Sequence, residues 1–426
     1  MLKIIFNTGL ILLPVFFLSV KHATNIILFS LVITSLVFIN KIYREKLYVK
    51  FTRKNYLIVI LILVFPVLAI AISQTLRQEY YPNNWDSPLR FFLCLPIFFA
   101  ISQGCLSGKN SRTISEIWLC WSTPIAIFVM LISRIYYPAK NWGEYLTTYF
   151  VDPLTFCSYA LLFSLLSISG LIYFNKKMSK FNILFSLISI VVGLYLSISS
   201  GARTGWLGLP LIIIIFWYTL KTKFNIKKAN VFILILLMIL GVLIYYDSKF
   251  LNKLLLALQQ FSSYKLNELN VDTSVGMRLS FYRMGIQYFI ERPWYGWGDL
   301  SWMYYMNRAE FIKYASEFTR GSPKHGFHNE IITSCVRSGI WGLMSSTCLF
   351  AGVTYLAIRG ICMRISVEHS AISFALLIVI VHLFFTGLTT EITNLTFLSA
   401  FIGSIISVLL GEQIYLEEKL SLHAKI

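Results

Sequence analysis

The run His325-Gly326-Phe327-His328-Asn329-Glu330 gathers the most versatile side chains of this 426-residue chain just before an apolar stretch. An unperturbed imidazole titrates near neutrality, where it can take a proton from a hydroxyl, so His328 is the candidate general base, with a purely structural histidine as the alternative. Two arginines could meet it at a common site. Arg203 sits in Ser199-Ser200-Gly201-Ala202-Arg203-Thr204-Gly205, whose small residues let backbone amides and a guanidinium approach an anion. The plain alternative is an arginine that anchors the membrane boundary. Arg278 falls in the first turn of a helix predicted to start at Thr273-Ser274, where a cation faces the positive end of the helix dipole. A bound phosphate would relieve that conflict; a surface ion pair with Asp272 or Glu268 is the alternative. His325-x-x-His328 with Glu330 raises a metal site, but no third ligand follows at a familiar spacing and the surroundings look cationic, so neither metal nor cofactor is expected. Glu391 could orient the histidine, pair with an arginine, or simply be solvated.

These residues must be positioned by a chain that is 57% hydrophobic and 13% charged. About 20 apolar residues cross the roughly 30 Å hydrocarbon layer, and runs of that kind recur, so an all-α polytopic membrane protein is expected. Twelve transmembrane helices are predicted, at 4–20, 23–40, 56–73, 89–105, 116–136, 151–174, 181–199, 204–220, 231–246, 337–357, 371–387 and 394–411. The first lacks a small-residue cleavage pattern and reads as a retained helix. The chain divides into 1–246 with nine spans, a long polar loop at 247–336, and 337–426 with three spans and a tail.

A net charge of +18 would fit nucleic-acid binding only if the basic residues shared a soluble face. Instead they cluster in alternate short links: Lys41, Arg44, Lys46, Lys50, Arg53 and Lys54; Lys109 and Arg112; Lys176, Lys177 and Lys180; Lys221, Lys223, Lys227 and Lys228; Arg359 and Arg364. That bias puts both termini in the cytoplasm and the long loop outside. The other outward links include aromatic pieces around Tyr80-Tyr81-Pro82-Asn83-Asn84-Trp85 and from Tyr136 to Tyr149, read as interfacial belts with sugar stacking as the alternative. The seven cysteines (Cys94, Cys105, Cys120, Cys157, Cys335, Cys348, Cys362) lie in or beside apolar runs without a CxxC pair, so neither a disulfide framework nor a zinc site is expected.

Within the loop, Met277, Phe281, Met284 and Tyr288 recur at helical spacing until Pro293 ends the run, and Trp294-Tyr295-Gly296-Trp297-Gly298-Asp299 reads as a turn. A second helix is predicted to begin near His328 or Asn329 and to continue into the tenth span, with Gly339 and Gly342 permitting close packing. The spans are nearly free of charge and the candidate residues gather at one face, which disfavours a transporter or flippase, the reading from another class.

The chain resembles the O-antigen ligase and polymerase superfamily. The resemblance rests on the many spans, the large loop before the last three, and His328-Asn329 followed by nine residues and Gly339-Ile340-Trp341-Gly342. The arginine after a middle span resembles Arg203, and the loop arginine resembles Arg278, followed by Tyr282 and by Glu291-Arg292-Pro293-Trp294-Tyr295-Gly296-Trp297-Gly298. It implies a lipopolysaccharide-synthesis glycosyltransferase of the bacterial inner membrane that moves a glycan from undecaprenyl diphosphate to a sugar hydroxyl of lipid A–core on the periplasmic face, without a nucleotide sugar or a required metal. By that resemblance Arg203 and Arg278 hold the diphosphate and His328 deprotonates the acceptor, with inversion at the anomeric carbon. Asn329, Glu391 and His325 would support the site. An O-antigen polymerase joining two lipid-linked glycans is the nearest rival, a protein O-oligosaccharyltransferase the next.

Overall fold

The computed structural model describes residues 2–44, 53–105, 113–139, 145–223, 226–246, 248–266, 268–299, 301–323 and 326–423. His325, Asp247, Lys46, Lys50, Lys109 and Arg112 lie outside the described residues. The helices are α1 (Leu2–Phe16), α2 (Ala23–Arg44), α3 (Arg53–Arg77), α4 (Asp86–Leu93), α5 (Leu95–Ser102), α6 (Ile114–Ile117), α7 (Thr123–Tyr136), α8 (Pro153–Phe174), α9 (Lys180–Ser199) and α10 (Leu209–Lys223). They continue as α11 (Ile226–Tyr246), α12 (Ser248–Ser262), α13 (Ser274–Glu291), α14 (Ala309–Ile312), α15 (Glu317–Gly321), α16 (Glu330–Ser338), α17 (Ile340–Met363), α18 (Val367–Gly387) and α19 (Thr396–His423). The chain is thus an all-α, multi-pass membrane protein.

Eleven of the twelve expected spans are helical stretches long and apolar enough to cross a membrane. The first is the exception. At 15 residues α1 extends only about 22 Å at 1.5 Å per residue, short of the roughly 30 Å hydrocarbon layer. The fourth, expected at 89–105, covers Pro82–Ser102 and is broken at Cys94 into α4 and α5. Pro96 explains the break, because its ring cannot donate to the carbonyl one turn back and collides with it. In the fifth, α6 and α7 are joined by a π-helical turn, Trp118–Ser122, just before Pro124.

The axis of the bundle is formed by α8 and α19, which are almost wholly buried, whereas α11 faces outward along most of its length. Phe401 of α19 stacks on Phe17, which follows α1, with ring centroids 3.9 Å apart, and Tyr159 of α8 meets Phe401 edge-on at 5.7 Å. Aromatic pairs in these arrangements add about 0.5–1.5 kcal/mol each beyond the area they bury.

The segment between α11 and α17 has its own core: Phe281, Met284, Tyr288, Trp297, Trp302, Phe311, Phe327 and Val336. The apolar stripe of α13 faces it, as the sequence spacing predicts. The helix begins where the Thr273 hydroxyl accepts from the Gly276 amide at 3.1 Å, and it ends at Glu291, two residues before Pro293.

The expectation of one helix running from His328 into the tenth span is wrong. α16 stops at Ser338, and α17 starts at Ile340, because Gly339 takes φ +62° between them. The amide of Ile340 donates to the Pro293 carbonyl at 2.7 Å, and a Cβ on Gly342 would overlap the Ser334 carbonyl oxygen. The two glycines therefore let the loop turn and α16 lie directly against the start of α17. That turn is also held by Trp297 and Gly298, whose amides donate to the carbonyls of Val336 and Arg337 at 2.7 and 3.0 Å.

Candidate functional site

His328 sits between Phe327, buried in the loop core, and Asn329, whose side chain caps α16 by accepting from the Ile332 amide at 3.1 Å. Its backbone is left-handed, φ +50°, which a residue with a Cβ adopts only when its surroundings hold it there. Several contacts do so. Its amide donates to Glu391 Oε1 at 2.6 Å, its ring stacks on Phe281 with centroids 5.6 Å apart, and its carbonyl accepts from the Tyr282 hydroxyl at 3.4 Å. Nδ1 is buried, without a hydrogen-bond partner among the described residues, and 4.0 Å from Glu391 Oε2; the side chain as a whole is 40% exposed. Nε2 is therefore the ring nitrogen on the open side.

The imidazole pKa is pushed below its usual value, first by burial and next by the Arg278 charge, against the opposing pull of Glu391 and Asp152. The ring is accordingly neutral at pH 7, the form that can accept a proton. Three elements meet the imidazole here: Asp152 caps α8 by accepting from the Thr155 amide at 2.9 Å, Arg278 is on α13, and Glu391 is in the α18–α19 link. The Tyr282 hydroxyl binds that link as well, through the Leu388 carbonyl, and burial raises its pKa, so it stays a donor.

Arg278 donates from Nη1 to the Ser274 hydroxyl at 3.3 Å and makes no ion pair among the described residues. The two carboxylates weighed as its partners are engaged elsewhere: Asp272 accepts from Ser316 at 2.5 Å, and Glu268 pairs with Lys265 at 2.5 Å. Arg203, half-buried in the α9–α10 turn, also has no ion pair there, and its guanidinium donates to the Lys253 carbonyl. Burial lowers the Arg203 pKa and the nearby positive charge of Arg278 lowers it further. The Arg278 charge thus acts on Arg203, and neither guanidinium has an ion pair among the described residues.

The turn beneath Arg203 has φ +77° at Gly201 and +87° at Gly205. A Cβ on Gly205 would come within 2.6 Å of His382 Cε1. That fully buried histidine and the Thr386 hydroxyl each reach the Ser158 hydroxyl, at 2.8 and 2.9 Å. The spans are thus not wholly without ionisable groups, and this one supports the arginine turn.

Four further residues organise the site: Lys253 and Asp152, which sequence reasoning missed, and Tyr282 and Glu330, which it noted without these roles. Lys253 on α12 bridges the arginine turn: Nζ donates to the Gly201 carbonyl at 3.3 Å and lies 4.4 Å from the centre of the Tyr145 ring. Asp152 acts on His328 by charge, and Tyr282 ties α13 to the α18–α19 link. Glu330 accepts from the amides of Ile392 and Thr393 at 2.8 and 3.0 Å, while Glu391 from that same link holds the His328 amide. The two carboxylates form a reciprocal clasp between α16 and the link. Asp152, one residue before Pro153, left the local signal of a helix cap, whereas Lys253 left none. No group of three or more His, Cys, Asp or Glu gathers for a metal among the described residues.

Comparison with known proteins bears on what this arrangement serves. Residues 185–347 match the family model described as O-antigen ligase, a segment that holds Arg203, Arg278 and His328. A Haemophilus influenzae protein described as uncharacterized is 27% identical over 173 residues, which cover 41% of this chain and 43% of that protein. The match therefore spans less than half of the curated relative's length. Over its residues 185–347, the segment that carries these three side chains, the chain is thus similar to the O-antigen ligase family.

Proposed function

We propose that the chain is an O-antigen ligase of the inner membrane, its loop in the periplasm and both termini in the cytoplasm. It transfers a glycan from undecaprenyl diphosphate to a sugar hydroxyl of lipid A–core. The observation that carries this reading is the Arg203 and Arg278 pair, without described carboxylate partners, beside an imidazole within electrostatic reach of Arg278.

In this reading the arginines bind the diphosphate and stabilise the charge it acquires as it leaves. His328 Nε2 takes the proton of the acceptor hydroxyl while that oxygen attacks the anomeric carbon from the side opposite the diphosphate. The new glycosidic bond forms, the bond to the diphosphate breaks with its electron pair staying on the phosphate oxygen, and the configuration inverts. Glu391, 4.0 Å from Nδ1, stabilises the imidazolium that results. No metal is required for charge balance, since the two guanidinium groups supply it.

The polymerase reading shares the donor and these roles and differs in its acceptor. Purified full-length protein given an undecaprenyl-diphosphate glycan and lipid A–core is expected to yield glycosylated lipid A–core, undiminished by a chelator. Elongation of a second lipid-linked glycan in its place would assign the polymerase, and no transfer to either acceptor would sink the reading.

A further inference from the structure

On the side of α16 away from the loop core, a cavity of about 170 Å³ opens between α3, the Pro82–Trp85 turn, α4 and α17. A single buried water needs only about 10–15 Å³, so this space suits a larger ligand. Its charged lining is already satisfied. Asp299 pairs with Arg337, Arg337 also reaches the Asn394 side chain, and both oxygens of Glu330 accept from the α18–α19 link.

The groups left open are neutral. Asn83 and Asn84 make no side-chain hydrogen bond among the described residues, nor does Ser345. Ser346 lines the cavity, and its hydroxyl makes no hydrogen bond among the described residues, so it is free to meet a ligand. Beside these polar groups stand Pro66, Ile70, Phe91 and Leu349, an apolar wall. The exposed ring of Tyr80 and the half-buried ring of Trp85 meet at 6.2 Å on either side of the two asparagines.

We infer that this cavity is a binding subsite for an uncharged, hydroxyl-rich ligand, a saccharide unit. Amides and hydroxyls that donate and accept match sugar hydroxyls, an apolar wall matches the C–H face of the ring, and a lining without free charge gives nothing to a phosphate. This separates it from the arginine pair, which offers only donors and positive charge. α16 runs between the two, its first residue, Glu330, lining the cavity two positions after His328. A sugar held here belongs to the same glycan substrate that the histidine addresses. The inference draws on the glycosyltransferase reading for its choice of sugars, but its first test does not require turnover.

The full-length protein in detergent is heated with neutral oligosaccharide released from lipid A–core, with glycan released from the lipid donor, or with inorganic phosphate. One of the two saccharides is expected to raise the midpoint of unfolding by several degrees, and to lose that effect in Ser346→Phe, whereas phosphate acts equally on both proteins. Ser345→Leu serves in the same comparison if Ser346→Phe fails to fold. In the transfer assay the variant is expected to raise KM about tenfold for the substrate carrying that saccharide and to leave KM for the other within twofold; the affected substrate tells which glycan the cavity reads. Protection by neither saccharide, or equal protection of wild type and variant, would overturn the subsite whether or not transfer to lipid A–core is observed.

Discussion

A histidine held in a left-handed backbone, stacked on Phe281 and tied through its amide to a carboxylate is positioned before any substrate arrives. Removing a positioned base typically costs about 10²–10⁴-fold, so His328→Ala is expected to lower transfer by that factor while the protein accumulates in the membrane with an unchanged melting curve. Wild-type lipopolysaccharide from that variant would exclude His328 as the base. Because burial and Arg278 hold the imidazole below its usual value, the neutral base predominates at pH 7. The rate constant kcat/KM should therefore rise with pH through a midpoint below 6.5 and be flat at neutrality. Glu391 opposes that depression, so Glu391→Gln should move the acid limb to still lower pH; a midpoint shifted upward would contradict its charge as the cause. In the proposed reading each arginine makes charge-assisted contacts with the donor, and such contacts are worth about 1.5–3 kcal/mol apiece, which predicts a loss of about 10–100-fold in kcat/KM for the lipid donor in Arg203→Ala and in Arg278→Ala. Unchanged donor dependence would remove either from the site.

At the scale of elements, the interval between the His328-Asn329 pair and the two glycines is the length of one short helix, α16. Its start is fixed by the Asn329 cap and its end by Gly339. Nine residues at 1.5 Å each carry the chain about 13 Å from the histidine to the point where the Pro293 turn docks. Gly342→Ala places a methyl against the Ser334 carbonyl, so α16 must move, and activity should fall with a lowered melting temperature. Gly241→Ala, on outward-facing α11 with nothing within 4 Å, should change neither. Equal behaviour of the two variants would show that the α16–α17 crossing does not set the site. Thr273→Ala should cost the start of α13 about 1 kcal/mol, read as a lower unfolding midpoint with only a small effect on rate.

At the scale of the molecule, the bundle brings together residues separated by up to 239 positions, from Asp152 to Glu391, through α8, α13 and the α18–α19 link. The loop segment joins the end of α11 to the start of α17, so the end of α17 lies one span away from it. An impermeant maleimide should label Tyr304→Cys, at an 85% exposed position of the loop, once the outer membrane is permeable. It should reach the native, exposed Cys362 at the end of α17 only after the inner membrane is opened. The opposite order would invert the proposed orientation.

What the sequence alone determined is what local rules encode. Apolar runs near 20 residues marked eleven spans, the spacing of Met277, Phe281, Met284 and Tyr288 marked α13, and Thr273 with Pro293 marked its limits, since caps and periodicity act within one or two turns. Residue type marked His328, Arg203 and Arg278, because few side chains can take a proton or fork onto a phosphate. Tertiary structure decided which of them meet. The break at Gly339 follows from the Pro293 turn packing there, and the clasp of Glu330 and Glu391 joins carboxylates to backbone amides about 60 residues away, amides that every residue carries and no spacing reveals. Lys253, Asp152 and the cavity beside Ser346 arise in the same way, from packing that assembles distant segments with nothing in the intervening sequence to announce it.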